Sequence, residues 1–371
     1  MKKVNVLHII GDLNTGGAQA LVRDYARLLD YNRFNLFILT VYPPIAGANV
    51  DMINNTGARI ISIYPQQTLP YQLLNKIAPK FAISNRLSKI LKEFSIDVIH
   101  VHLAHLKYLV PISKCLGNIR LLYTCHSLPS QFFSGANISE YKAAKKLIKE
   151  NALQMIALHE NMRKEINEMF GIENTIVIKN GVEFDRFIKI DEDKRAIRRS
   201  LNIPEDAFVI GHVGRFAYMK NHSFLVDVFK EVYNLNSKAW LLMVGSGPLV
   251  QDIMSKVESF GLSKYTTHLE NRTDIPRLLK AMDVFVFPST FEGLPVSVVE
   301  AQVAGLRVVC SNKITEECCF LPSLVTLDLT DSSEQWANCV LDNSAKGAYN
   351  KDISSFDMKK EIKRLESYYQ K

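Results

Sequence analysis

None of the six cysteines, Cys115, Cys125, Cys310, Cys318, Cys319 and Cys339, forms a C-x-x-C pair, and the adjacent couple Cys318-Cys319 has no partner at metal-site spacing. A zinc ribbon and a disulfide framework are therefore excluded, and free thiols in a reducing cytoplasm are expected. No stretch reaches the ~18 uninterrupted apolar residues of a membrane span. The opening MKKVNVLHII has two lysines, but its apolar run is short and Gly11-Asp12 ends it without a small-residue cleavage site, so it reads as a first strand and not a signal peptide. No internal repeat and no low-complexity tract is present, which removes solenoid and disordered architectures.

Two further absences concern the first glycine loop, GDLNTGGAQ from Gly11 to Gln19. Its G-x-x-x-x-G spacing is that of a triphosphate cradle, but the Lys and Ser/Thr that should follow are missing. A dinucleotide site is also disfavoured, because G-x-G-x-x-G is absent and the second apolar run ends at Thr40-Val41 without an acid for the ribose.

What is present is a soluble-type balance of 47% hydrophobic and 22% charged residues over 371 positions, more than one core usually supports. Short β-branched runs alternate with helical stretches: Val4 to Ile10, Leu36 to Val41, Val98 to Val101 and Leu121 to Thr124, then a second series from Phe208 to Val213, Trp240 to Val244, Val284 to Phe287 and Val308 to Cys310. This alternation predicts an α/β protein with two doubly wound parallel sheets. The polar stretch 183–207 reads as the connection, which puts a boundary near Arg186 and divides the chain into 1–186 and 187–354. The C-terminal segment 355–371 presents Met358, Ile362, Leu365 and Tyr369 at helical spacing and must pack against something. Charge is uneven: residues 1–185 hold 21 Lys and Arg against 14 Asp and Glu, so the first half carries the whole +7 excess.

The chemistry concentrates in PSTFEGLPVSVVEAQVAGLRVVCS. A strand ends at Pro288, Glu292-Gly293 sit in the turn that follows, a helix opens at Pro295, and Gly305 stops it. With Val296 as origin, Val299, Val303 and Ala304 fall on one side of the helix with Glu300 among them, which predicts an acid on the buried face in need of a donor such as a pair of vicinal hydroxyls. In GHVGRFAYMKNH, Gly214 follows a strand, and Arg215 and Lys220 bracket a loop before a helix, so two cations and a helix N-terminus can converge on one anion.

Glu292 and Glu300 make an E-x7-E motif, and here the sequence resembles the family 4 retaining glycosyltransferases of the two-domain B-type fold, in particular the capsule, exopolysaccharide and O-antigen enzymes. Matching segments run in order along nearly the whole chain: GDLNTGGAQ, CHS at 125–127, KNGVEFDRF at 179–187, GRFAYMKNH at 214–222 and VGSGP at 244–248. The resemblance implies two Rossmann-like domains facing a cleft, an acceptor-binding domain first and a donor-binding domain second, with the C-terminal helix returning to the first. It implies that Arg215 and Lys220 grip the donor diphosphate, that Glu300 holds the ribose hydroxyls, and that Glu292, Gly293 and Leu294 contact the transferred sugar. Arg272 corresponds to the loop around the base, and His126 to the active-site histidine of the first domain. Gly16 and Gly17 would let backbone N–H groups approach the sugar phosphate and acceptor.

The implied reaction moves a hexose or N-acetylhexosamine from a nucleotide sugar, most readily a UDP-sugar, to a lipid-linked or polysaccharide acceptor, without metal or cofactor and without nucleic acid as a partner. A same-fold nucleotide-sugar 2-epimerase and a non-catalytic sugar-nucleotide binding protein remain as alternatives. His100, His102 and His105 suggest a metal, but no nearby Cys or carboxylate completes a set. Asp191-Glu192-Asp193 mimics a D-x-D metal signature without a preceding strand and reads as solvated charge. Lys142, Lys145, Lys146 and Lys149 at helical spacing, with Lys76, Lys80, Arg86, Lys89 and Lys92 upstream, suggest a cytoplasmic protein with peripheral contact to the anionic inner face of the cell membrane.

Overall fold

The structure is a computed structural model that describes residues 2–14, 16–77, 79–344 and 346–370, with side chains for all of these except 48, 74–77 and 79–81. It contains two compact units, Met1–Asn180 with Lys359–Lys371, and Gly181–Met358.

The first unit is built on seven strands, β1 (Val4–Ile9), β2 (Phe34–Thr40), β3 (Arg59–Ser62), β4 (Val98–His102), β5 (Arg120–Thr124), β6 (Gln154–Ala157) and β7 (Ile176–Val177). Their order is β3-β2-β1-β4-β5-β6-β7, and every pairing is parallel. The second unit has six, β8 (Phe208–Val213), β9 (Ala239–Val244), β10 (Thr266–Leu269), β11 (Val284–Phe287), β12 (Arg307–Ser311) and β13 (Leu324–Leu327). These are also all parallel, in the order β10-β9-β8-β11-β12-β13. Both orders reverse next to the first strand, between β1 and β4 and between β8 and β11, and such a reversal opens the crevice in which doubly wound sheets take ligands.

The central strands are the ones legible as apolar runs, because helices cover both faces: β4 is buried at every position, as is β11. The β-branched runs do not reveal β3, β6, β7, β10 and β13, which lie toward the sheet edges. There β3 and β10 are mostly half-buried, and a mixed pattern replaces the apolar run.

The polar stretch 183–207 is more than a connector. Its helix Lys194–Ser200 buries Ile197 and Arg198, and Arg198 and Lys194 clasp Asp283 at 2.6 and 2.5 Å, which fastens the segment to the second unit ahead of β11. The chain passes from unit to unit at Asn180–Gly181 and again at Met358–Lys359. Near these crossings Val182 N–H donates to Phe356 O at 2.7 Å and Met358 N–H to Val182 O at 3.1 Å. The backbones run so close that a Cβ on Gly181 would lie 2.6 Å from the Met358 Cα. In the triplet 191–193, Asp193 caps the helix Lys194–Ser200 and Glu192 pairs with Arg277 at 2.6 Å.

From Lys359 onward the C-terminal helix Met358–Gln370 belongs to the first unit. Ile362, Leu365 and Tyr369 are buried along one face, as their spacing predicts. The same face carries buried acids that the apolar pattern does not reveal. Glu366 accepts from Asp30 N–H at 2.9 Å and pairs with Arg33, and Glu361 accepts from Lys179 N–H at 2.8 Å. Leu365 is fully buried, so Leu365→Ala is expected to destabilise the first unit by about 2–5 kcal/mol, read as a shift of its denaturant midpoint.

Candidate functional site

In the second unit three loops at the carboxyl ends of β8, β9 and β11 are tied to one another. Gly214 N–H donates to Val244 O, Phe216 N–H to Ser246 O, and Thr290 N–H to Met219 O, all at 2.8–3.0 Å. The glycines of VGSGP are needed for this approach: Gly245 and Gly247 have φ of 148° and 157°, and a Cβ would fall 2.0 Å from Gly214 O and 2.3 Å from Phe216 O.

The loops bring Lys220 and Glu292 together, Nζ to Oε1 at 2.6 Å, with side chains only 15% and 12% exposed. The Lys220 ammonium also lies 4.7 Å from the Phe287 ring centroid, and its stem runs past Gly214, where a Cβ would sit 3.4 Å from Cδ and Cε. Lys220 closes a short 3-10 turn, Asn221 follows with φ 53°, and the helix His222–Leu235 begins. An ammonium, a carboxylate and the open end of a 14-residue helix thus meet at the β8/β11 reversal. Arg215, on the same loop, is exposed and has no ion-pair partner among the described residues.

Gly293 and Leu294 are buried in the turn before the helix Val296–Val303. The helix wheel requires a correction. The buried face centres on Val298, Val299, Ala301 and Gln302, while Val296, Val303, Ala304 and Glu300 are half-buried. The buried polar residue is Gln302, which donates to Cys318 O at 2.7 Å and accepts from Phe320 N–H at 2.9 Å, so Glu300 sits at the edge of the packed face. Arg272 follows edge strand β10 and is held by Asp274 at 2.7 Å, away from the Lys220 cluster.

Beneath Lys220 lie buried polar groups that motif spacing does not reveal. The His212 and His222 rings stand 4.5 Å apart, and His212 Nδ1–H donates to Val286 O, 2.9 Å away. His212 Nε2, both His222 nitrogens and Ser289 Oγ are buried with no hydrogen-bond partner among the described residues. Burial lowers the His212 pKa to about 4 and depresses that of His222 further, so both rings are neutral.

In the first unit the helix Gly17–Leu28 starts directly after the first glycine loop. A Cβ on Gly17 would meet nothing within 4 Å, so its backbone borders open space, whereas one on Gly11 would lie 2.9 Å from His105 Nε2. His126 follows β5 and is half-buried. Its Nε2 lies 3.0 Å from His102 Nδ1, and surrounding protein lowers its pKa to about 4. His100 and His102 find a further partner that sequence spacing hides: His8 stands opposite His100 in the parallel register of β1 and β4. Ligand atoms of His8, His100 and His102 all lie within 4.8 Å of one another, and among the described residues this is the one grouping able to hold a metal. His105 turns away from it, toward His102 O at 2.8 Å.

Lys142, Lys145, Lys146 and Lys149 are exposed on the helix Ile138–Asn151, whose opposite face buries Glu140, Ala143, Ala144 and Leu147. Arg86, Lys89 and Lys92 are exposed as well, while the side chains of Lys76 and Lys80 lie outside the described residues. No helix among the described residues is long and apolar enough to cross a membrane.

Comparison with known proteins follows this division of the chain. Residues 15–186 match the family model Glycosyltransferase Family 4, and residues 193–318 match Glycosyl transferases group 1. EpsF of Bacillus subtilis (strain 168) is 26% identical over 348 residues, 92% of this chain and 88% of that protein. The UDP-Gal:alpha-D-GlcNAc-diphosphoundecaprenol alpha-1,3-galactosyltransferase of Escherichia coli is 28% identical over 300 residues, 76% of this chain and 77% of that one. Among solved structures, Anabaena Alr3699/HepE in complex with UDP and glucose superposes with a TM-score of 0.73 over 99% of this chain and 97% of that one, at 20% identity.

The neutral histidines make stability depend on pH. His8, His126 and His212 bind protons near pH 6.5 when unfolded but only near 3, 4 and 4 when folded. Their stabilisation is complete above pH 6.5 and is lost as pH falls toward 4. Between pH 7.5 and pH 5 each ring gives up about 2 kcal/mol, and thermal denaturation at the two pH values is expected to show a lower Tm at pH 5.

Proposed function

Because the chain is a glycosyltransferase of the two-domain B-type fold, with a family 4 domain followed by a group 1 domain, we propose that it transfers a hexose or N-acetylhexosamine from a UDP-sugar, with retention of configuration, to a lipid-linked oligosaccharide or polysaccharide acceptor in bacterial surface polysaccharide synthesis. The observation that carries this reading is the Lys220–Glu292 pair at the β8/β11 reversal, beside an unpaired arginine and a helix N-terminus. Two relatives support it: the Escherichia coli enzyme is named for UDP-Gal and a diphosphoundecaprenol acceptor, and HepE was solved with UDP and glucose.

Cleavage of the donor places growing negative charge on the leaving diphosphate. Arg215 and Lys220 meet that charge as fixed cations, aided by the N–H groups that open the helix His222–Leu235. Lys220 is held ready by Glu292, and on donor binding its ammonium turns to phosphate oxygens while the freed carboxylate, with Gly293 and Leu294, takes sugar hydroxyls. Glu300, at the rim of its helix, accepts from the ribose hydroxyls. Arg272 lines the base, and no metal is required because the cations supply the charge. In the first unit we assign His126, Gly16 and Gly17 to the sugar and acceptor. The exposed lysines 142, 145, 146 and 149 we assign to an anionic lipid surface.

A panel of nucleotide sugars with mass determination of products tests the reading. Product carrying the sugar on an added lipid-linked or polysaccharide acceptor supports it, and epimerised donor without transfer overturns it. Lys220→Ala is expected to cut turnover by about a hundredfold or more, because it removes a cation from the transition state and leaves the Glu292 carboxylate unpaired. Glu300→Ala is expected to weaken nucleotide-sugar binding in titration calorimetry, and near-wild-type behaviour of both variants would remove the assignment. Cosedimentation with anionic vesicles that fails at low as well as high salt would remove the lipid-surface role.

A further inference from the structure

Four histidines of the first unit, His8, His100, His102 and His126, form one continuous hydrogen-bonded chain with two hydroxyl groups. From one end, Thr124 Oγ1 lies 2.7 Å from His100 Nε2, and His100 Nδ1 lies 2.7 Å from Tyr369 Oη. Tyr369 Oη lies 2.9 Å from His8 Nε2, His8 Nδ1 lies 3.0 Å from His102 Nε2, and His102 Nδ1 lies 3.0 Å from His126 Nε2. Three strands supply four of the first five side chains, the C-terminal helix supplies the fifth, Tyr369, and the last, His126, lies two residues beyond the end of β5.

Proton counting limits how such a chain can be arranged. Each of the six groups carries one proton when neutral, and each of the five contacts uses one. One proton is left over and must point out of the chain. His8, His100 and His102 have both nitrogens engaged, so the spare proton belongs to Thr124, Tyr369 or His126. Thr124 and Tyr369 are each 1% exposed and have no other hydrogen-bond partner among the described residues, so a proton left on either would be buried without an acceptor. His126 alone is half-exposed.

We infer that the chain runs in one direction, from Thr124 to His126, so that all four rings are Nδ1–H tautomers and His126 presents an N–H outward as a hydrogen-bond donor. Thr124 O–H donates to His100, His100 N–H to Tyr369, Tyr369 O–H to His8, His8 N–H to His102, and His102 N–H to His126 Nε2. Tyr369 is then the link between the two parts of the chain: its hydroxyl accepts from His100 and donates to His8. His126 lacks the outward lone pair of a general base, and its contribution to a bound group is donation. The inference rests on the assignment of His126 to the reacting sugar only for its effect on turnover, and the tautomers stand apart from it.

The test is long-range proton–nitrogen correlation NMR of the full chain labelled with 15N-histidine at pH 7.5, with rings identified by single substitution. Neutral Nδ1–H tautomers at His8, His100, His102 and His126 are expected. An Nε2–H or charged ring at any of the four overturns the inference, as do metal-shifted ring nitrogens that revert on addition of EDTA. Tyr369→Phe removes the hydroxyl and turns the positive C–H edge of the ring toward both nitrogens it served, so His100 loses the acceptor of its Nδ1–H and is expected to shift toward the Nε2–H form that donates to Thr124, while His8, His102 and His126, whose spare proton still leaves only at His126, are expected to keep the Nδ1–H form. Thr124→Val leaves the Tyr369 hydroxyl in place, and all four rings are expected to keep their tautomer. Equal changes in the two variants would indicate general loosening and overturn the directed chain; should either variant fail to fold, the wild-type spectrum decides. Turnover reports on the other assignment: with His126 found as the Nδ1–H form, a fall of about tenfold or more in His126→Ala supports both, and unchanged turnover in that variant keeps the chain and removes His126 from the reaction.

Discussion

Parallel strands all end on the same edge of their sheet, and right-handed crossovers on its two faces must part wherever the strand order reverses. In this protein that constraint acts twice, between β1 and β4 and between β8 and β11. The meeting of Lys220 and Glu292 follows from it. Lys220 and Glu292 lie 72 positions apart in sequence, yet their loops leave adjacent strands at the reversal and place ammonium and carboxylate 2.6 Å apart. The glycine turn before the helix Gly17–Leu28 occupies the equivalent place in the first unit, facing His105 from the loop after β4.

The ion pair at the second reversal is informative because it is mostly shielded from water. Two largely buried charges gain little net stability from each other once desolvation is subtracted, so such a pair is weak evidence of a structural role. In the function proposed above, Glu292 partners Lys220 until the donor arrives. The surrounding glycines allow it. Gly214 leaves room for the lysine stem, and Gly245 and Gly247 let the next loop close against Gly214 and Phe216. Arg215, on the solvent side of the same loop, remains exposed.

The first unit handles polarity differently. It holds four imidazoles as neutral rings, three of them buried, and satisfies them with one another, with a threonine and with a tyrosine brought from the far end of the chain. The C-terminal helix therefore does more than cover apolar surface. Glu361 and Glu366 receive backbone N–H groups from the residues beneath, and Tyr369 completes a polar path that ends at His126. Low dielectric strengthens such a network when every member is satisfied and penalises it when one is not, so its proton arrangement is unusually well determined.

The primary sequence by itself determined the α/β class, the two domains and the central strands, because helices on both faces make β1, β4, β8 and β11 largely apolar runs, interrupted only by Asn5, Gly211 and histidines. It also marked the turns at the strand ends, where Gly214, Glu292 and the VGSGP glycines stand, and the spacing of Ile362, Leu365 and Tyr369 announces a packed C-terminal helix. Tertiary structure decided what linear spacing does not encode. Edge strands such as β10 have no apolar signature, and the true packed face of the helix Val296–Val303 depends on Gln302 reaching Cys318 and Phe320. The polar run around Arg198 became structure because Asp283, 85 positions away, needed a partner. His8 and Tyr369 joined His100, His102 and His126 only when strand register and a returning helix brought them within hydrogen-bonding distance, and proximity between distant segments is a property of the folded chain alone.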